Sequence, residues 1–199
     1  MAALLLWGIA CHQAIIAMRV VILDRNGVIN EDRDDFVKNS LEWIPLPRSL
    51  EAIAQFSQAG WRVVVATNQS GIGRGLFDMH ALNAMHEKMH HLVGKVGGRI
   101  DAVFFCPHRP DIGCACRKPN PGMVKDIAER FGTKPEQLIL VGDSLRDLKS
   151  VATVGGLPVL VKTGKGAATF EAGDLPANTR VYTDLFDAAH DLIATFGEG

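Results

Sequence analysis

The chain predicts an α/β protein, a three-layer arrangement in which one parallel sheet carries helices on both faces, as in a Rossmann-like domain. Three observations predict it. Residues 20–23, Val-Val-Ile-Leu, form an unbroken apolar run without polar alternation, the pattern of a strand buried on both faces. Four more apolar runs follow at residues 62–67, 102–106, 137–143 and 158–163, each ending in polar or small residues. Between these runs, segments 49–58, 79–96, 121–131 and 146–153 repeat apolar residues every three to four positions, the helical period.

Each element has its place in the order. The first strand must turn after Leu23, because the next residues are Asp24-Arg25-Asn26-Gly27. Helix 49–58 then returns the chain to the strand at 62–67, and helix 79–96 to the strand at 102–106. Helices 121–131 and 146–153 precede the strands at 137–143 and 158–163. Strict alternation requires parallel strands joined by right-handed crossovers. Residues 181–183 and 185–196 add an edge strand and a closing helix.

With 199 residues, 47% hydrophobic and 22% charged, the chain fits one globular domain over residues 18–199. The formal net charge is −1 and the basic residues are dispersed, which argues against nucleic-acid and anionic-membrane partners. Residues 1–18 contain no Lys, Arg, Asp or Glu, but the positive region that opens a secretory signal is missing. The apolar piece at residues 2–10 is about half of the ~20 residues a spanning helix needs, and Cys11-His12-Gln13 interrupts it. Residues 1–17 are therefore expected to be a dispensable apolar extension, with Met18 the working start of the domain.

In a parallel sheet Asp24, Thr67 and Asp143 all lie at one edge, since each ends a strand. Ligands of open α/β sheets collect beyond that edge. A carboxylate delivered there, with Arg117-Lys118-Pro119 able to supply positive charge, points to phosphate chemistry. Attack on a phosphate monoester by a carboxylate requires cations that neutralise the charge gathering at phosphorus.

Asp24-x-Asn26-Gly27-Val28, Thr67-Asn68-Gln69, Lys118-Pro119 and Gly142-Asp143-Ser144-Leu145-Arg146-Asp147 resemble the four ordered motifs of the haloacid-dehalogenase-like (HAD-like) phosphatases. The resemblance implies a HAD-like parallel sheet without a large cap domain. It implies Asp24 as nucleophile, passing through an aspartyl phosphate, and Mg²⁺ held by Asp24, the backbone carbonyl of Asn26 and Asp143. The Thr67 hydroxyl and the Asn68 N–H would donate to phosphoryl oxygens. Lys118 would bridge nucleophile and phosphate, while Asp147 would hold Asp143 or a metal-bound water. Asn26 departs from the pattern, which has Asp there as general acid and base. An amide does neither, and losing such a group typically costs roughly a hundred- to ten-thousand-fold in rate.

Cys106-Pro107-His108 and Cys114-Ala115-Cys116 bring three thiols and one imidazole within eleven positions. That spacing fits a closed, structural Cys₃His zinc site that pins the loop ahead of Arg117 and Lys118. Disulfides fit poorly, because His108 would have no role and a Cys114–Cys116 bridge would be strained. Reduced thiolates point to the cytoplasm.

With Thr67-Asn68-Gln69-Ser70-Gly71-Ile72-Gly73-Arg74-Gly75 and Cys116-Arg117-Lys118-Pro119, this loop resembles one branch of the family. That branch removes the 7-phosphate of D-glycero-D-manno-heptose 1,7-bisphosphate, on the way to nucleotide-activated heptose and lipopolysaccharide core. Histidinol-phosphate phosphatases carry a similar loop and are the alternative. A non-catalytic phosphosugar-binding relative is the second, given Asn26. The implied partner is a small sugar bisphosphate handled by a monomer. Substrate contacts are expected from Asn68, Gln69, Ser70, Arg74, Arg117 and Asp32, with Arg74 and Arg117 offering planar forks to the distal phosphate. The amino alcohol would instead want an acidic pocket from Asp32, Asp34 or Asp35. His80, His86, His90 and His91 are expected to be solvated on a helix face.

Overall fold

The computed structural model describes residues 18–197; the apolar extension expected over residues 1–17 lies outside them. Strands β1 (Val20–Leu23), β2 (Arg62–Asn68), β3 (Ala102–Cys106), β4 (Ile139–Gly142), β5 (Leu157–Val161) and β6 (Arg180–Tyr182) form one sheet in the order β3-β2-β1-β4-β5-β6. Every pairing is parallel. Helices α1 (Ser49–Gln58), α2 (Ser70–Gly73), α3 (Met79–Lys95), α4 (Gly122–Arg130), α5 (Leu145–Ala152), α6 (Gly166–Ala172) and α7 (Leu185–Phe196) complete the chain.

The unalternating sequence of β1 is explained by what covers it. Val21 and Leu23 pack with Ile53 and Phe56 of α1, Leu82 and Met85 of α3 and Leu192 of α7. Val20 and Ile22 point the other way, against Val124 and Ile127 of α4 and Val151 of α5. All four β1 side chains are buried. Each such aliphatic side chain contributes about 1.5–3 kcal/mol relative to exposure. Burial on both faces thus fixes β1 as the central strand.

The chain runs outward from β1 to β2 and β3, then crosses back to lay β4 on the other side of β1. That reversal opens a crevice beyond the carboxyl ends of β1 and β4, at the topological switch point. The segment between β1 and α1 is irregular but anchored, since Val28, Ile29, Val37 and Trp43 are buried. Lys88 Nζ of α3 donates to the carbonyls of Ser40 and Trp43, 2.7 Å from each.

Strands β1 and β3 and helices α1 and α7 have the expected bounds, and the other expected elements shift at their ends. A 3₁₀ turn at Pro135–Gln137 delays β4 to Ile139, and β5 starts at Leu157. The sequence reading lacks α2 and α6. Both are under two full turns and rich in glycine or alanine, too short to display a helical period.

Candidate active site and metal centres

The three strand-ending residues and Lys118 meet in the crevice. Asp24 is positioned by its own N–H, which donates to the Val141 carbonyl at 2.9 Å and carries the turn after β1 over the end of β4. Gly27 follows at φ +80°, and any side chain there would collide with Asp143, since a Cβ would lie 2.0 Å from its Oδ2. Gly164 presses on the same carboxylate from the other side, with a Cβ position 2.3 Å from Oδ2. Asp143 also accepts from the Lys165 N–H at 2.9 Å. The carboxylate is thereby clasped by backbone on two sides.

Lys118 is 1% exposed and its ammonium lies 2.7 Å from Asp24 Oδ1, 2.7 Å from Asp147 Oδ1 and 2.6 Å from the Ala66 carbonyl. Its backbone is clamped by the Asn68 side chain: Nδ2 donates to the Lys118 carbonyl at 3.0 Å, and the Lys118 N–H donates to Oδ1 at 3.1 Å. The Lys118–Pro119 peptide bond is cis. Asp147 is fully buried and completes a capping box with Ser144 at the start of α5. The sequence pairs it with Asp143 or a metal-bound water; the structure pairs it with Lys118.

Electrostatics follow from crowding. Burial pushes Asp24 up, with Lys118 opposing. Burial, then the charges of Asp24 and Asp147, push Asp143 up to about 7. Asp147 moves down despite burial, because Lys118 and Arg146 outweigh it. For Lys118, burial is outweighed by Asp147 and Asp24, and its pKa rises. One ligand oxygen from each of Asp24, Asp143 and Asp147 falls within 4.8 Å of the others. Hard carboxylate oxygens that repel one another when ionised are what Mg²⁺ takes as ligands, and the missing side chain of Gly27 leaves its backbone against Asp143. The residues fit the ion.

The second centre is the loop after β3. Cys106 Sγ and Cys114 Sγ lie 3.5 Å apart, Cys114 and Cys116 3.5 Å, and His108 Nδ1 is 3.6 Å from Cys106 and 3.4 Å from Cys116. Ligands about 2.3 Å from a tetrahedral zinc would be separated by ~3.8 Å, close to this spacing. Among the described residues these three cysteines form no disulfide. The loop is tied to the phosphate-side segment, where the N–H groups of Gln69 and Gly73 donate to the carbonyls of Cys106 and Pro107 at 2.8 and 3.0 Å.

The other expected contacts are scattered. Arg117 Nη1 donates to the His108 carbonyl at 3.2 Å, and exposed Arg74 lies over the Phe36 ring. Ser70 is buried and opens α2. Gln69 and His86 depart from expectation, and Asp32 has a partner the sequence does not foretell. Gln69, expected among the substrate contacts, turns inward: it is 3% exposed, with Nε2 donating to Thr67 Oγ1 at 2.9 Å and Oε1 accepting from Arg25. Asp32, expected to contact substrate, is ion-paired, with Lys165 Nζ 3.1 Å from its Oδ2. His86 is not solvated like His80, His90 and His91; burial, with Arg25 next, drives it down to about 4. Arg25 itself went unassigned in the sequence. Its place between Asp24 and residue 26 was the available signal.

A family model described as HAD-hydrolase-like matches residues 115–188. A D-glycero-β-D-manno-heptose-1,7-bisphosphate 7-phosphatase of Bordetella bronchiseptica is 55% identical over 176 residues, 88% of this chain and 98% of that protein. A protein of the same name from Pseudomonas putida is 51% identical over 176 residues, 88% of this chain and all of that one. The crystal structure of the B. bronchiseptica D,D-heptose 1,7-bisphosphate phosphatase with magnesium and phosphate matches with a TM-score of 0.88 at 54% identity, covering 89% of this chain and 99% of that one. No helix among the described residues is long and apolar enough to cross a membrane. Fold, ordered motifs and relatives agree: the chain belongs to the haloacid-dehalogenase-like hydrolases, within the family of heptose-1,7-bisphosphate 7-phosphatases.

Proposed function

We propose that this chain is a phosphomonoester hydrolase built for the 7-phosphate of D-glycero-D-manno-heptose 1,7-bisphosphate, with turnover restrained by Asn26. The observation that carries it is the meeting of Asp24, Lys118 and Asp143, three remote segments, in one buried crevice. Asp24, the Asn26 carbonyl and Asp143 would hold Mg²⁺, which supplies charge neutralisation at the phosphoryl group. An Asp24 oxygen attacks phosphorus, and the bond to the sugar oxygen breaks. Lys118, whose three N–H groups reach Asp24, Asp147 and the Ala66 carbonyl, opposes the effect of burial on Asp24 and sets its positive charge beside the developing charge. Thr67 donates its hydroxyl, and Asn68 its N–H, to phosphoryl oxygens. Asn26 gives no proton to the leaving oxygen and takes none from the water that must open the aspartyl phosphate, so both steps fall to solvent.

Cys106, His108, Cys114 and Cys116 would hold zinc, fixing Arg117 and Lys118 at the loop's end. Unpaired thiols suit a cytoplasmic enzyme, and the chain acts in this reading as a monomer. Histidinol phosphate is disfavoured by a specific observation. Asp32 and Asp34 pair with Lys165, and Asp35 with Arg33 and Lys38, so the acidic pocket an amine would need is already neutralised.

Phosphate release from the heptose bisphosphate and from histidinol phosphate tests this in the chain and in Asn26→Asp. The expected result is a gain of roughly a hundredfold or more on the sugar bisphosphate for Asn26→Asp. Equal rates remove residue 26 from the mechanism, and tight phosphate binding with no release by either form favours the non-catalytic alternative.

A further inference from the structure

Arg25 is fully buried directly after the nucleophile, yet its hydrogen bonds go to neutral amides. Nε donates to Asn26 Oδ1 at 3.1 Å and Nη2 to Gln69 Oε1 at 3.3 Å, while Nη1 has no partner among the described residues. Gln69 continues the chain by donating from Nε2 to Thr67 Oγ1 at 2.9 Å. Asn30 Nδ2 is a second donor to Asn26 Oδ1, at 3.2 Å. The Asp24 charge favours the guanidinium, but burial outweighs it, and a guanidinium buried without a hydrogen bond to a carboxylate is costly; an apolar side chain would fill the same volume at lower cost.

The donor and acceptor chemistry says what the arrangement achieves. Arg25 Nε and Asn30 Nδ2 can only donate, so the atom that residue 26 turns toward them must be oxygen. The other atom of that side chain, Nδ2 of Asn26, is held by no hydrogen bond among the described residues. A hydroxyl has one proton and two acceptor positions. Gln69 occupies an acceptor position of Thr67, which leaves the Thr67 proton to be donated elsewhere.

We propose that Arg25 and Gln69 are positioning residues, a buried hydrogen-bonded brace that sets the orientation of residue 26 at the end of β1 and of the Thr67 hydroxyl at the end of β2 against each other. This rests on the functional reading above, in which those two groups face the leaving oxygen and the phosphoryl oxygens. A shared brace fixes their separation, which a reaction centre needs to within ~0.5 Å.

Gln69→Glu separates this role from mere support. The carboxylate keeps an acceptor for Arg25, now charge-assisted, but cannot donate to Thr67 and instead draws the Thr67 proton inward. Binding of inorganic phosphate with MgCl₂ present would be measured by titration calorimetry for the chain, Gln69→Glu and Gln69→Leu, each also combined with Thr67→Val, alongside thermal midpoints. The expected result is about tenfold weaker phosphate binding in Gln69→Glu, with the midpoint not lowered, and a loss under about twofold when Thr67 is already Val. Equal affinity of Gln69→Glu and the chain overturns the brace. So does the same loss in the Thr67→Val background, which would mean simple charge repulsion.

In Asn26→Asp, adding Arg25→Lys should lower kcat about tenfold or more while KM stays within about threefold. Unchanged kcat overturns the Arg25 half. If Asn26→Asp hydrolyses no phosphomonoester, the functional reading fails and the phosphate cycle still decides the brace. An active Asn26→Asp with no coupling to Gln69 sinks the brace alone.

Discussion

Lys118 stands between two buried carboxylates, and what it contributes there is charge rather than packing. Breaking a buried ion pair by removing one partner typically costs about 3–5 kcal/mol, because the remaining charges are stranded. Lys118→Met keeps the volume and strands Asp24 and Asp147. Urea unfolding of Lys118→Met should show a loss of that size, partly recovered by adding Asp147→Asn, which removes one stranded charge. A midpoint equal to that of the parent would mean that the ammonium is not holding the crevice together. Asn26 is a contrasting case at the same scale. It differs from Asp by one terminal group, keeps its backbone carbonyl, and loses only the capacity to exchange a proton.

At the scale of elements, the loop between β3 and α4 does more than connect them. It lies against the segment after β2 through the Cys106 and Pro107 carbonyls, and against Asn120, whose Nδ2 donates to the Cys114 carbonyl at 2.8 Å. Lys118 follows at its end. A structural zinc site can add free energy on the order of 10 kcal/mol to folding. Stripping metal with a high-affinity zinc chelator should therefore lower the thermal midpoint and weaken phosphate binding together, and stoichiometric Zn²⁺ should restore both. Cys114→Ser should behave like the stripped protein. A chelated sample with its midpoint and phosphate affinity intact would leave the loop without a metal role.

For the whole molecule, pH stability carries a signature of the buried polar cluster behind the site. His86 Nε2 is buried without a hydrogen-bond partner among the described residues, and burial, then Arg25 and His90, hold the ring neutral down to about pH 4. The unfolded chain protonates His86 near its ordinary value of about 6.5. Between those values the unfolded state binds the proton that the native state refuses, so this residue's effect is to lower stability as pH falls from about 6.5 to 4. Thermal midpoints of the parent and His86→Gln across that window should diverge, with the parent falling more steeply. Parallel curves would show that His86 protonates in the folded protein as it does in the unfolded one.

The sequence by itself determined the order of strands and helices, the edge at which Asp24, Thr67 and Asp143 gather, and the two metal-capable clusters. Those features are local: unbroken β-branched runs, three-to-four spacing, glycine after a strand, and Cys-x-His and Cys-x-Cys pairs within eleven positions. Only the tertiary structure decided the partners of the polar groups. Asp147 went to Lys118, Asn68 to the Lys118 backbone, Gln69 inward to Thr67, and Asp32 to Lys165. Arg25 stayed buried among amides. The choice of a hydrogen-bond partner depends on atoms placed to within an ångström by helices and strands far apart in the chain, and no period or short motif encodes that placement.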